Sequence, residues 1–412
     1  MQKSRSNKSK AGLWLIGAYG GIGTCVAAGL AGIARGLYST AGLVSERDEF
    51  KLLDLLPLAD FVVGGCDVRK SSLLKEAAAL QAKDRLIGEK NLETLKRDFA
   101  GTDAEITDGV LLNSGAVVEK LSTLNPKSKA QKATDMVARI QKRLRLFQER
   151  HALRDVIVVN VASAEAFSNA DSVPKTLKEL RKAIAADRKR VLSAGVLYAY
   201  AAIDAGYPYI NFSPSISSEV PAMLELAEAR RVPHMGKDGK TGETLIKTAL
   251  APMFAARNLK VLSWIGHNIL GNRDGEVLAD TRNARTKLQN KAQALQSILK
   301  DPGTDSQVRI DYVPSLGDWK TAWDFIHFQG FLDTKMIMQF VWQGADSALA
   351  APLVIDLARF IEHAHRMGRC GVQKQLACFF KMPTDVQEQS FAEQFRLLGD
   401  YARTHRSGRV IA

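Results

Sequence analysis

Three apolar runs in the first half of the chain show no alternation of polar and apolar positions: GLWLI (12–16), FVVGGCDV (61–68) and VIVVNVA (156–162). Such runs predict strands buried on both faces. Helical stretches lie between them, a small-residue one at 25–37 and a charged one at 126–150. Strands alternating with helices predict an α/β fold with a doubly wound parallel sheet. After a helix near 175–204, YPYINFSPS (207–215) interrupts the pattern with prolines and serines. From 236 the rhythm changes: a GKDGKTGET loop, a helix, the strand and loop KVLSWIGHNILGN, a long helix, the strand VRIDYVPSLG, another helix and the strand MIMQFVWQ. This predicts an inserted central α+β domain, followed by a long helix (347–367) and a C-terminal segment. No internal repeat is visible.

The charge balance narrows the partners. Lys and Arg number 57 against 44 acids, a net charge of +13, so the surface favours anions such as phosphorylated metabolites, nucleic acid or acidic lipid. A nucleic-acid binder should interleave basic and aromatic residues along one element, and no stretch does so. The four cysteines (Cys25, Cys66, Cys370, Cys378) form no CxxC pair, which predicts reduced thiols and a cytoplasmic protein. The histidines give no HExxH and no His-type metal site is expected. Residues 11–34 lack charge and follow a basic stretch, imitating a signal anchor, yet their seven glycines favour a strand, a turn and a helix over a membrane span. Residues 1–10 read as a flexible basic tail.

GAYGGIGT (17–24) follows a predicted strand and opens a helix, the setting in which glycines let backbone N–H groups approach a pyrophosphate. It is not a strict GxGxxG. The spacing of Gly17, Gly21 and Gly23 imitates the short-chain dehydrogenase turn, but no tyrosine here has a lysine four residues on. Asp67, ending the second strand, suits the ribose hydroxyls of NAD or equally the cap of the next helix. Gly239-Lys240-Thr241 imitates a P-loop, yet the position five residues before Gly239 is His234. That loop still opens a helix, and so suits a phosphate or is a plain exposed turn.

In the helix predicted after GNRDG, Ala284, Leu288, Ala292, Leu295 and Leu299 share one sector at about 100° per residue, with Lys291 inside it and Lys287 at its edge. A lysine among apolar neighbours either snorkels to solvent, sheds its proton or meets an anion. Lys320 after VPSLGDW and Lys381 after LACFF have similar settings. Four such lysines with an NAD turn point to redox chemistry on a sugar phosphate.

The blocks GAYGGIGT, Cys66-Asp67, YINFSPS (209–215), GKDGKTGET, HNILGNRDG (267–275), YVPSLGDWK (312–320) and ADSALAAPLVIDL (345–357) together resemble the 1L-myo-inositol-1-phosphate synthase (inositol-3-phosphate synthase) family, in its compact prokaryotic form. The resemblance implies a Rossmann-like NAD-binding domain from 11–244 plus 347–412, and a catalytic and tetramerisation domain from 245–346. It implies an isomerase (intramolecular lyase) that turns glucose 6-phosphate into inositol 3-phosphate. NAD oxidises the C5 hydroxyl, the ketone enolises, the enolate closes on the C1 aldehyde, and NADH reduces the ring ketone.

The family's four lysines fall on Lys287, Lys291, Lys320 and Lys381, its loop acid on Asp238, and its Asn-Asp loop on Asn268, Asn272 and Asp274. Asp318 and Asp346 match cleft acids that act directly or through a divalent or monovalent cation. The cofactor set implied is Gly17, Tyr19, Gly20, Gly21, Ile22, Gly23, Thr24, Asp67, Ala162, Ser163, Asp238, Asp318 and Asp346. Substrate contacts are implied for Ser213, Thr241, Gly242, Asn268, Lys291 and Lys320. The partners implied are the small-molecule substrate and sister subunits of a homotetramer, with no nucleic acid and no membrane.

Three departures stand out: Lys237 where the family commonly has an acid, Glu243 where it has glutamine, and Arg273 where it has asparagine. Glu243 beside a phosphate would repel it unless a neighbour such as Lys240 neutralises the charge. Other readings are an NAD-dependent sugar-phosphate dehydrogenase or cyclase with a different substrate, and a non-catalytic NAD or sugar-phosphate sensor. The sensor would be favoured by loss of a lysine, and none is lost.

Overall fold

The structure is a computed structural model that describes residues 10–167, 170–278, 295, 298–299, 301 and 303–406. Among the described residues eleven strands form two sheets. Strands β1 (Ala11–Ile16), β2 (Phe61–Asp67), β3 (Ile106–Asp108), β4 (Asp155–Asn160), β5 (Tyr209–Asn211) and β6 (Pro233–Gly236) belong to the first. Strands β7 (Lys260–Leu270), β8 (Asp305–Tyr312), β9 (Trp319–Gln329) and β10 (Lys335–Ala345) form the second, and β11 (Gly371–Val372) returns to the first.

The first sheet has the order β11-β6-β5-β4-β1-β2-β3 and is parallel throughout. Every residue of β1 and β4 is buried, as expected for continuous apolar strands covered on both faces. Successive side chains feed opposite layers. Trp14 and Ile16 pack with Met136, Leu180, Leu197 and Met223; Leu13 and Leu15 pack with Val26, Val354, Phe360 and Leu398. The chain leaves β1 toward β2 on one side and later places β4 on the other, so the strand order reverses between β1 and β4. That reversal opens a crevice at the carboxyl ends of the strands.

Helix bounds refine the expectations. Helix α1 (Gly21–Ala34) begins within the glycine turn and stops three residues before 37. Helices α2 (Leu73–Asp84) and α3 (Glu89–Asp103) follow β2, and α4 (Ala116–Leu121) follows β3. The helical stretch at 126–150 is two pieces, α5 (Pro126–Lys129) and α6 (Ala133–Arg150). The helix expected at 175–204 is also divided: α7 (Leu177–Ala185) ends before Asp187 with its positive φ of 52°, and Ser193 caps α8 (Ala194–Asp204). The interruption at 207–215 contains the buried strand β5, three residues long and hydrogen-bonded between β4 and β6. After α9 (Pro221–Arg230) and α10 (Gly242–Ala256), α11 (Arg273–Leu278) follows β7, and the long helix Asp346–Arg366 follows β10.

The second sheet has the order β10-β9-β7-β8, with β7 and β8 parallel and the other pairs antiparallel. One expectation fails here: the segment before MIMQFVWQ is the strand β9, not a helix. Lys320, Ala322, Asp324 and Ile326 are buried while Trp319 and Trp323 are exposed, a period of two that no helix satisfies. Phe254 and Ala251 of α10 cover one face through Trp264, Val261 and Ile326.

Candidate active site

The glycine turn builds the first half of the site. The Gly17 N–H donates to the Cys66 carbonyl at 2.8 Å, and its φ of 90° lies in the left-handed region. A Cβ at Gly17 would stand 3.0 Å from the Ala162 Cα, so only glycine lets the turn approach the end of β4. A Cβ at Gly23 would run 2.9 Å from the Ala18 Cα, which fixes the second close approach. Gly20 caps α1 without a side chain, no acid sits in the first turn, and helix geometry leaves the N–H groups of Gly21, Ile22 and Gly23 without intrahelical acceptors. The positive end of a helix dipole with donors facing a crevice suits a pyrophosphate. Asp67 ends β2 beside it, accepting from the Tyr19 N–H at 2.8 Å and the Arg69 N–H at 2.9 Å. Burial raises the Asp67 pKa and Arg69 opposes that shift.

A cleft of about 420 Å³ runs from this turn to the edge of the second sheet, within the usual size of a ligand site. Gly17, Gly20, Gly21, Ile22, Thr24 and Asp67 line its nucleotide end, and Ala162 and Ser163 its β4 side. Ser213, Asp238, Thr241, Asn272, Asp318 and Asp346 also face it, with Lys320 and Lys381. The cleft thus collects residues from both sheets.

Two of the four lysines are placed, and each meets an acid. Lys381 Nζ lies 2.7 Å from Asp238 Oδ1, and the Lys381 N–H donates to the Asp238 carbonyl at 2.7 Å. Lys320 Nζ stands 3.7 Å from Asp346 Oδ1. Asn272 Nδ2 reaches Asp318 at 3.4 Å and Asp346 at 3.5 Å, while Ser347 donates to Asp318 through N–H (2.9 Å) and Oγ (2.6 Å). Burial pushes the Asp318 carboxyl up to about 6, with Asp346 adding to the rise and the Ser347 bonds opposing it. Lys287 and Lys291 lie outside the described residues, as does the side chain of Asp274, whose backbone belongs to α11.

Two expected side chains turn away from the cleft, those of Tyr19 and Asn268. The Tyr19 ring is buried among Leu73, Leu95 and Phe99, so this residue serves the turn through its backbone. Gly23 lies in the first turn of α1 and Gly242 opens α10 behind its N-cap Thr241, so each can offer only its backbone N–H. Asn268 is fully buried, and its Nδ2 donates to Glu243 at 2.5 Å instead of facing the cleft. Glu243 itself is not held by Lys240. Its place four residues before Lys247 turns it to the inner side of α10, where Lys247 Nζ lies 2.5 Å away. Lys240 instead donates to Gln394 at 2.5 Å, and burial pushes its pKa down to about 8. Lys237 pairs with Glu219 at 3.0 Å.

Other cleft residues escaped the sequence. Glu165 faces the cleft, accepts from the Gly195 N–H at 2.9 Å and is pushed up to about 7 by burial. As a lone loop acid it carries no pattern. Glu76 and Asp84 of α2 resemble solvated helix charges in sequence, yet both are buried.

A parallel doubly wound sheet, a glycine turn at its switch point and paired lysines in the same cleft define a dinucleotide-binding enzyme of Rossmann type with an anion-receiving site. The chain belongs to the myo-inositol-1-phosphate synthase family, whose model matches residues 11–403. Inositol-3-phosphate synthase 1 of Bacteroides thetaiotaomicron is 32% identical over 93% of this chain and 91% of that protein. Inositol-3-phosphate synthase of Trypanosoma brucei brucei is 30% identical over 82% of this chain and 65% of that protein. Among solved structures, inositol-3-phosphate synthase of Caenorhabditis elegans superposes with a TM-score of 0.86 over 97% of this chain and 86% of that chain, at 24% identity. A myo-inositol-1-phosphate synthase-related protein from Thermotoga maritima superposes at 0.78 over 96% and 98%, at 22% identity. These two likenesses carry the fold.

Proposed function

We propose that the protein is an NAD-dependent isomerase that converts D-glucose 6-phosphate to 1D-myo-inositol 3-phosphate. The observation that carries this reading is the convergence of Lys320 and Lys381 on the cleft that the glycine turn opens, each beside a carboxylate. The residues present fit NAD: the open N-terminus of α1 takes the pyrophosphate, Asp67 takes ribose hydroxyls, and Ala79, Leu80, Val118 and Leu121 give the apolar wall an adenine needs. Bound NAD supplies removal and return of one hydride.

The chain's own groups do the rest. Lys320 and Lys381 face the negatively charged intermediate, stabilise its oxyanions and exchange protons, and the family resemblance assigns Lys287 and Lys291 to the same work. Asp238 holds the Lys381 ammonium and Asp346 that of Lys320, which keeps both cations in the cleft. Thr241, with the N–H groups opening α10, and Ser213 hold the phosphate. Asp318 and Asp346 offer oxygens to a divalent or monovalent cation; turnover after chelation tests the divalent case, and turnover in buffer free of alkali-metal ions tests the monovalent one.

In this reading 11–244 with 347–412 binds NAD and contributes Asp238 and Lys381, and 245–346 supplies the other catalytic lysines and the assembly surface. The outer face of the second sheet supports a homotetramer, because Trp323, Ile337 and Val341 are 39%, 58% and 61% exposed there and large apolar patches mark interfaces. The four cysteines are free thiols and no described helix is long and apolar enough to cross a membrane, which supports a cytoplasmic setting. Incubating the protein with NAD and glucose 6-phosphate should yield inositol phosphate with no accumulation of NADH. Steady build-up of NADH would mark a simple dehydrogenase and overturn the reading.

A further inference from the structure

Arg273, where the family commonly has asparagine, stands at the mouth of the cleft. Helix α2 walls that mouth with one face, because Glu76, Ala79, Leu80, Lys83 and Asp84 follow helical spacing and all line the cleft. The helix follows β2, so it covers the adenosine side of the switch point. Both of its ends are tied to the segments that carry Asn272 and Lys320.

The ties differ. At the C-terminal end, buried Asp84 accepts the Asp318 N–H at 2.8 Å, and Lys83 Nζ donates to the Pro314 carbonyl at 2.8 Å. About 12 Å of helix away, Arg273 donates to Glu76 at 2.7 Å. The same carboxylate accepts from Ser71 at 2.6 Å and from Arg69 at 3.1 Å. Arg69 in turn donates to the Tyr19 carbonyl of the glycine turn at 2.5 Å. Burial raises the Glu76 pKa, but the bonds from Ser71, Arg273 and Arg69 outweigh it, so the carboxylate stays ionised and available to both guanidinium groups. The Arg273 side chain is 50% exposed against 9% for that of Glu76. At one end Asp84 gives a buried bond and Lys83 an exposed one, whereas at the other the tie to the second-sheet segment is a half-exposed ion pair, and the wall opens at the ion pair.

We infer that Arg273 is a positioning residue for cofactor retention: its ion pair with Glu76 closes α2 over the adenosine half of NAD and breaks when the dinucleotide enters or leaves. The inference rests on the NAD reading of the cleft. A reaction that returns its hydride to the same substrate needs the reduced cofactor held between steps, and this closure supplies that hold.

The test is release of NADH from the loaded full-length protein, followed by fluorescence after adding excess NAD. Arg273→Gln should release NADH about tenfold faster, and Arg273→Lys, which keeps the charge, should stay within about threefold of the unaltered protein. Raising NaCl from about 0.05 to about 0.5 M should speed release from the unaltered protein, because salt screens a half-exposed pair, and should leave Arg273→Gln unmoved. A merely structural role would not shift that salt dependence. Tight NADH binding with equal release rates and equal salt response in all three proteins overturns the closure alone. An unaltered protein that holds no NADH overturns the NAD reading itself. Should Arg273→Gln fail to fold, the salt response of the unaltered protein and Glu76→Gln decide the matter.

Discussion

Replacing Lys381 by Met removes the ammonium from a pair in which both side chains are 4% exposed and 2.7 Å apart. Methionine fills much of the same volume, so the change is largely one of charge. The Asp238 carboxylate would keep its buried position without that partner, a loss of about 3–5 kcal/mol for a broken buried pair. At roughly 2 °C per kcal/mol for a chain larger than 250 residues, the melting temperature should fall by about 6–10 °C. Adding Asp238→Asn, which removes the stranded charge and suits the positive φ of 62° at that position, should recover at least about 2 kcal/mol. Under the proposed chemistry Lys381→Met should also lower kcat by about a hundredfold to ten-thousandfold, the range for losing an acid–base group, while NAD stays bound. Calorimetry on the two single variants and the double variant gives the coupling, and steady-state kinetics gives the rate. A Lys381→Met protein that melts within about 1 °C of the original and keeps its kcat would refute the reasoning.

Asp318 gives a pH signature. Its folded pKa of about 6 lies above the ordinary 3.8, so the folded state holds this proton more tightly, and the associated stability, full at low pH, is lost as pH rises from about 4 to about 6. Thermal unfolding across that window should show the loss in the original protein and lack this part of it in Asp318→Asn. Gly17→Val should abolish NAD binding, measured by calorimetry, because the left-handed φ and the Ala162 backbone leave no room for the side chain. Glu243→Gln weakens the link to Lys247 inside α10 and should cost about 1–3 kcal/mol in chemical denaturation, with KM for the sugar phosphate unchanged because Glu243 faces away from the cleft. If the proposed homotetramer uses the outer sheet face, Ile337→Asp should make the protein elute later than the original on size-exclusion chromatography, and an unchanged elution volume would remove that face from the proposed interface.

The parts of the fold legible in the sequence were those fixed by local pattern. Fully buried β1 and β4, and β2 with its buried second half, carry apolar runs, and the glycine turn carries its own backbone demand at Gly17. Strand β5 was hidden because three hydrogen-bonded residues between prolines leave no periodicity to read. Strand β9 was misread as a helix although Lys320, Ala322, Asp324 and Ile326 alternate with outward residues; two tryptophans and a phenylalanine on the outer face obscured the polar half of that alternation.

The site divides in the same way. Motif-bearing residues such as Asp67, Asp238, Lys320 and Lys381 meet in one cleft, since a motif marks where backbone and charge must coincide. Asn268 and Glu243 share motifs with them yet turn inward, because strand alternation and the four-residue step to Lys247 decide direction, and neither is visible in a motif. Glu76 and Asp84 were invisible because their partners, Arg273 and the Asp318 backbone, lie about 200 residues or more along the chain and meet them only in the folded molecule.

The central claim is that one bound NAD takes a hydride from the sugar and gives it back inside the same cleft. Supplying glucose 6-phosphate carrying deuterium at C5, together with unlabelled NAD, tests this by mass spectrometry and NMR of the product. The account predicts inositol phosphate that keeps its deuterium on a single ring carbon. Deuterium appearing in free NADH, or a product with no carbocyclic ring, would contradict it.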